Sequence, residues 1–268
     1  MKERLDVTMF ERGMAASRQK AKEMITEGHV NVNGKTCMKP SFAVDSDADI
    51  HIIGETLKYV GRGGLKLESI ISLCGISLEG KICMDIGAST GGFTDCMLQN
   101  GASAVYAVDV GSGQLAQKLA ADSRVINMEK TDIRNISLCD LEKKPEFISA
   151  DVSFISLKLI LGKIYELLAD NGVAAVLIKP QFEAGRENIG KNGIVKSRNV
   201  HKSVVADIIS FSSQLGFSIA GICCSPITGS KGNIEYLMCL KKNGQSINVD
   251  VVKLVDDAFN KLKSGGKS

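Results

Sequence analysis

The chain of 268 residues has no tryptophan, only four prolines, and no uninterrupted apolar run near the roughly 18 residues that a bilayer-spanning helix requires. Its opening, MKERLDVTMFERG, lacks the apolar stretch of a secretory signal. A soluble, cytoplasmic protein without a membrane partner is therefore expected. The eight cysteines (37, 74, 83, 96, 139, 223, 224 and 239) contain no Cys-x-x-Cys pair, which argues against a disulfide framework and against a zinc site. Buried free thiols are expected, and no metal. Charge of one sign is also scarce: the net value is +3, too small to imply a nucleic-acid partner by itself. Its distribution says more. Residues 1–40 hold eight Lys and Arg against five acids, and residues 179–202 hold six against two, with His201 added. Clustered positive charge beside glycine-rich segments is the footprint expected of phosphate contacts.

Helical spacing in MAASRQKAKEMITEGHV ends at Gly28, after which Val30 and Val32 alternate into Asn33-Gly34, a strong hairpin-turn signal. A further strand is expected at residues 48–53. Fifty residues bury only a modest core. The run SRQKAKEMITEGHVNVNG, within residues 4–52, resembles the S4 domain, the small RNA-binding module of ribosomal protein S4. The resemblance implies that the helix carrying Ser17, Arg18 and Lys20 faces an RNA backbone, with Arg4 and Lys22 in the same module and Arg62 just beyond it.

Residues 54–71 (GETLKYVGRGGLKLESII) begin with a stretch in which Gly61, Gly63 and Gly64 predict a flexible connection, followed by a short amphipathic helix. From Lys81 onward the apolar runs KICMDIG, SAVYAVDVG, RVINME, EFISADVSF and GVAAVLIKP alternate with helical stretches, which predicts a parallel sheet covered on both faces. The last two runs, GFSIAGICCSP and GNIEYLMCLKK, are joined too closely for a crossover helix, so an antiparallel hairpin should end the sheet. A closing helix is expected through Val251, Leu254, Val255 and Phe259. The expected class is α/β: a small α+β S4-like domain (1–53), a linker (54–64), and a Rossmann-like sheet domain (65–268).

The first strand runs into DIGASTGGF, with a helix expected from Thr94 to the stop at Gly101. This is a loose relative of the dinucleotide fingerprint, since Ser89 replaces its second glycine while Gly91 and Gly92 are paired. A turn of that kind, with Asp85 just before it, suits S-adenosylmethionine better than a pyrophosphate. Asp109 follows Gly87 by 22 residues, close to the roughly 20 of a nucleotide-binding unit, and should accept the ribose hydroxyls; Asp132, with Ile133, lies where adenine is expected. Asp85, Gly87, Ala88, Ser89, Gly91, Gly92, Phe93, Asp109, Asp132 and Ile133 are thus the candidate cofactor residues.

The fourth strand ends in SADVSF, not in Pro-Pro-aromatic, which disfavours methylation of exocyclic amines; the absence of a Pro-Cys pair disfavours a cysteine nucleophile. Asp151, Lys179 and Glu235 should instead meet at one sheet edge, within reach of Lys66. Their order resembles the Lys-Asp-Lys-Glu tetrad of the FtsJ-like RNA ribose 2′-O-methyltransferases. A ribose hydroxyl must lose its proton as it attacks, and a lysine crowded by a second ammonium and partly removed from water is suited to take it. Lys179 is the expected base or hydroxyl activator, Asp151 its orienting partner, and Lys66 and Glu235 supports that position the ribose.

Taken with YVGRGGLKLE and KPQFEAGRENIGKNGIV, these motifs resemble the TlyA (hemolysin A) family of ribosomal RNA methyltransferases over residues 4 to about 242. The resemblance implies 2′-O-methylation of cytidines in ribosomal RNA or ribosomal subunits, no required protein partner, and a substrate strand beside Arg186, Lys191, Lys196 and Arg198. Two other classes stand against it: a membrane-active cytolysin, and an RNA-binding protein with a catalytically silent fold.

Overall fold

The computed structural model describes residues 2–15, 17–26, 28–53, 58–229 and 231–264; the side chains of residues 20, 23 and 262–264 also lie outside that description. Two compact units divide the chain, Met1–Thr56 and Leu57–Ser268.

In the first unit, β1 (Glu3–Arg4) leads into α1 (Leu5–Glu11) and α2 (Arg18–Thr26), followed by β2 (Val30–Val32), β3 (Lys35–Thr36), β4 (Ala43–Val44) and β5 (Ile50–Ile52). Strand β1 pairs with β4, while β2 lies between β3 and β5, all antiparallel. Asn33 and Gly34 both take left-handed backbone (φ +51° and +80°), as the two-residue turn from β2 to β3 requires. Helix α1 went unpredicted, although Leu5 and Met9, one turn apart, both point into the core with Ala21, Ile25 and Val30.

The second unit contains α3 (Gly63–Cys74), β6 (Ile82–Ile86), α4 (Gly92–Gln99), β7 (Ala104–Asp109), α5 (Gln117–Ala120), β8 (Val125–Glu129), β9 (Phe147–Ala150), α6 (Lys158–Leu167), β10 (Val173–Ile178), α7 (Pro180–Glu183), α8 (Arg198–Gln214), β11 (Phe217–Cys224), β12 (Tyr236–Lys242) and α9 (Val251–Ser264). The strand order is β11-β12-β10-β9-β6-β7-β8, with β12 antiparallel to both neighbours and the pairings from β10 to β8 parallel. The mostly parallel sheet and its closing antiparallel hairpin are as expected. Strand β10 (VAAVLI) is buried at every position, the uniform apolar run of a strand covered on both faces. One core packs Met84, Ile86 and Ile148 against α6, α8 and α9; the other packs Cys83, Phe147 and Leu237 against α3 and α4. The thiols are free, but not uniformly buried: Cys83, Cys96 and Cys239 are inside, whereas Cys139 is exposed.

Strand order reverses at β6, whose neighbours are β7 on one side and β9 on the other. The crevice at the carboxyl ends of strands beside such a switch point is where this architecture binds ligands. Gly63 and Gly64 act differently from the flexible connection expected of them, for they open α3. A Cβ on Gly64 would stand 2.3 Å from the ring of Tyr59, so glycine here permits close packing of a buried aromatic.

Candidate active site

The turn after β6 is wound tightly by alternating left-handed residues, Gly87 (φ +82°), Ser89 (+48°) and Gly91 (+92°). A side chain at Gly87 would put Cβ 2.5 Å from the carbonyl oxygen of Asp151, which fixes the turn against the end of β9. Helix α4 begins at Gly92, two residues before the expected Thr94. Asp85 explains the geometry and corrects its expected role. It is fully buried, its Oδ2 accepts from the Thr94 amide (2.9 Å) and hydroxyl (2.7 Å), and its Oδ1 accepts from the Ser149 hydroxyl (3.0 Å). Its carboxylate therefore ties β6 to α4 and β9 instead of facing a ligand. Burial pushes its pKa up to about 6, against the opposing pull of the Thr94 and Ser149 hydrogen bonds.

A cleft of about 440 Å³ lies beside the turn, lined among others by Gly87, Ser89, Asp109, Asp132, Ile133 and Asp151. Asp109 is braced by the amides of Ser89 (2.7 Å to Oδ2) and Gly111 (2.7 Å to Oδ1), leaving further lone pairs on both oxygens. Asp132 pairs with Arg134 at 2.6 Å, and that guanidinium holds its carboxyl below the ordinary range. The carboxylates of Asp109, Asp132 and Asp151 offer acceptors that suit a ligand with hydroxyl and amine donors. Ala88, Gly92 and Phe93 line a smaller neighbouring recess of about 220 Å³, with Gly61, Arg62 and Lys66. Gly91 lines neither; its missing Cβ accommodates Leu119 and Leu115.

Beyond Asp151 the four candidate catalytic groups meet. Lys179, at the end of β10, places Nζ 2.5 Å from Asp151 Oδ1 and 3.0 Å from the Ser153 hydroxyl. Lys66, on α3, reaches Asp151 Oδ2 at 3.8 Å and Glu235 Oε2 at 2.7 Å. Glu235, immediately before β12, also accepts from Gln181 Nε2 at 3.3 Å. Lys66, Lys179 and Glu235 are buried, and Asp151 is partly open. Lys231 lines the same cavity, about 430 Å³ in volume, with Lys66, Lys179, Gln181 and Phe182.

Two neighbours escaped sequence reasoning. Phe154 is 88% exposed with left-handed backbone (φ +68°), on the rim shared by the acidic cleft and the tetrad cavity. Its ring lies 5.2 Å from that of Phe182, over which Lys179 Nζ sits at 5.8 Å. Gln181 is the other. One aromatic three residues beyond Lys179 and another three beyond Asp151 were visible in sequence, but not their convergence.

The candidate RNA contacts divide. Arg186, Lys191 and Lys196 are exposed. Arg198 is not free: it donates to Asp256 (2.9 Å) and Asn260 (3.1 Å) on α9 and stacks over Phe259 at 5.1 Å, because it opens α8 directly against that helix. His201 adds no charge to the cluster. It is buried between the Tyr236 hydroxyl (2.9 Å) and the Val195 carbonyl (3.0 Å), and burial lowers its pKa. In the first unit Arg4 and Arg18 are both engaged by the buried Asp6 (2.9 and 3.0 Å), with Arg4 the main reason that carboxyl lies below its ordinary range. Lys22 is partly exposed, Ser17 and Arg62 are within reach of other groups, and the side chain of Lys20 lies outside the described residues.

Comparison with known proteins identifies the family. Residues 59–242 match the FtsJ-like methyltransferase family, and residues 3–50 match the S4 domain. YqxC of Bacillus subtilis is 48% identical over 98% of this chain and 96% of its own length. The 16S/23S rRNA (cytidine-2′-O)-methyltransferase TlyA of Mycobacterium tuberculosis is 34% identical over 98% of both chains. A solved Streptococcus thermophilus structure, described as a hemolysin candidate, superposes with a TM-score of 0.81 at 44% identity, covering 100% of this chain and 99% of that one. The chain belongs to the FtsJ-like methyltransferases, on the branch that carries an S4 domain and includes TlyA.

Proposed function

We propose that the protein is an S-adenosylmethionine-dependent methyltransferase of ribosomal RNA, acting in the cytoplasm on a ribose 2′-hydroxyl, that of a cytidine as in the similar TlyA. The observation that carries this reading is the continuous chain of contacts Lys179–Asp151–Lys66–Glu235 beside a cleft lined by Asp109 and Asp132.

S-adenosylmethionine, when bound, supplies an electrophilic methyl group. Asp109 and Asp132 offer acceptors for its ribose and adenine donors, and the partly open Asp151 adds negative charge near the positive centre. On the opposite side the tetrad receives the ribose. Lys179, steadied by Asp151 and Ser153, would in its deprotonated form take the proton from the 2′-oxygen as that oxygen receives the methyl group. Lys66 and Glu235 hold Asp151 in register from behind. Holding the 2′-hydroxyl against the bound methyl donor would contribute most of the acceleration. Phe154 presents an aromatic face on which an unstacked base can rest, the usual means of holding single-stranded RNA.

The S4 unit, with Lys20 and Lys22 on its second helix, is assigned to docking on folded ribosomal RNA. Incubation with methyl-labelled S-adenosylmethionine and unmodified ribosomal subunits should label RNA on ribose, and Lys179→Ala should abolish labelling while leaving cofactor affinity intact. Label on a base, or full activity in the variant, overturns the mechanism. Removal of residues 1–52 should weaken RNA binding more than cofactor binding; unchanged RNA affinity refutes the docking role.

A further inference from the structure

The amide of Gln181 has one satisfied end and one orphaned end. Nε2 donates to Glu235 Oε1 at 3.3 Å, whereas Oε1 is buried and finds no donor among the described residues. The amide cannot be reversed without setting its oxygen against the carboxylate of Glu235, which accepts from Lys66 at 2.7 Å. Neither Lys66 nor Lys179 donates to the orphaned oxygen. A buried acceptor left unpaired costs about 1–3 kcal/mol, so this one is poised for a donor that arrives with the ligand.

Gln181 lines the cavity together with Phe154, Phe182, Lys179 and Glu235. An internal nucleotide of RNA has a single ribose hydroxyl, and in the proposed reaction that hydroxyl is directed at Lys179. Its other donors are the N–H groups of the base. We infer that Gln181 is a specificity-determining residue: its Oε1 accepts a hydrogen bond from the exocyclic amine of the target cytosine and excludes uracil, whose carbonyl oxygen at the same place would oppose it. Phe154 supplies the face of the base site and Gln181 its edge. The inference rests on the ribose-methylation reading above and adds to it the group that reads the base.

Ribosomal subunits lacking the modification, with the mapped target either cytidine or changed to uridine in the RNA gene, provide the test. The wild-type enzyme should favour cytidine by about 10- to 100-fold in kcat/KM, the scale of one buried hydrogen bond exchanged for a repulsive contact. Gln181→Met should lose about tenfold or more on cytidine while the cytidine-to-uridine ratio falls toward unity. A folding defect in the altered RNA lowers both enzymes alike and cancels in that comparison. Cofactor affinity, measured calorimetrically, should match the wild type and so report an intact fold. Equal losses on both substrates would show that Gln181 merely holds Glu235 in place and would overturn the assignment, as would a wild-type enzyme indifferent to the base. Absence of ribose labelling by the wild type is a different outcome, which sinks the reading of the reaction itself.

Discussion

Lys66 Nζ lies 2.7 Å from Glu235 Oε2, although the two residues are 169 positions apart and both are nearly removed from water. Removing one partner of such a pair leaves an uncompensated buried charge, at a cost of about 3–5 kcal/mol. Glu235→Ala should therefore lower the melting temperature markedly. Replacing both partners by methionine should restore most of that stability without restoring methyl transfer. Thermal melts alongside ribose labelling check both halves; activity in the stable double variant would exclude Lys66 and Glu235 from the reaction.

The fold should carry a pH signature from Asp85. Its pKa is raised from 3.8 to about 6 in the folded protein. Below about pH 4 the group is protonated in both the folded and the unfolded state. Between 4 and 6 only the folded state keeps the proton, so the stability contributed by this group declines as pH rises, by roughly 2–3 kcal/mol in all, and is flat above. Urea titrations of Asp85→Asn should lack this decline. A wild-type-minus-variant difference independent of pH from 4 to 6 would contradict the burial argument.

Phe154 should behave oppositely in stability and in activity. A phenylalanine with left-handed backbone and 88% exposure gives the fold little. Phe154→Gly is expected to raise stability by about 1 kcal/mol, yet base stacking worth about 1–3 kcal/mol should be lost from the RNA complex. The combination of a higher melting point with a roughly tenfold or greater fall in kcat/KM is the expected result. Unchanged kcat/KM would remove the ring from the substrate site.

The basic stretch after β10 should divide under mutation. Arg198→Ala should destabilise the contact of α8 with α9 by about 1 kcal/mol and leave RNA affinity nearly unchanged. Arg186→Ala and Lys191→Ala should do the reverse, and each should reduce the slope of log affinity against log salt by about one. Filter binding across a salt series separates the two classes; a reduced slope in Arg198→Ala would place it on RNA after all.

The sheet was readable because each strand is an apolar run bounded by glycine or charge, and β10 is apolar throughout. Asp151, Lys179 and Glu235 could be drawn to one edge since strand ends in a parallel sheet share a side, and Asn33-Gly34 carries its own turn chemistry. What stayed hidden depended on partners distant in sequence. Asp85 looked like a ligand residue because the periodicity of a strand does not reveal which inward positions meet Thr94 and Ser149. Arg198 looked free because α9, which holds it, comes more than fifty residues later. Gln181 was unreadable for the same reason: its orphaned oxygen exists only once Glu235 has taken the other end of the amide.

The placement of β12 between β10 and β11 has a bearing on synthesis. A nascent chain that has not yet emerged through Tyr236 has no strand to bridge β10 and β11, and lacks the Glu235 carboxylate that pairs with Lys66 at 2.7 Å. The Lys66–Glu235 pair therefore forms late in translation, after the S4 unit and the whole parallel part of the sheet have been made.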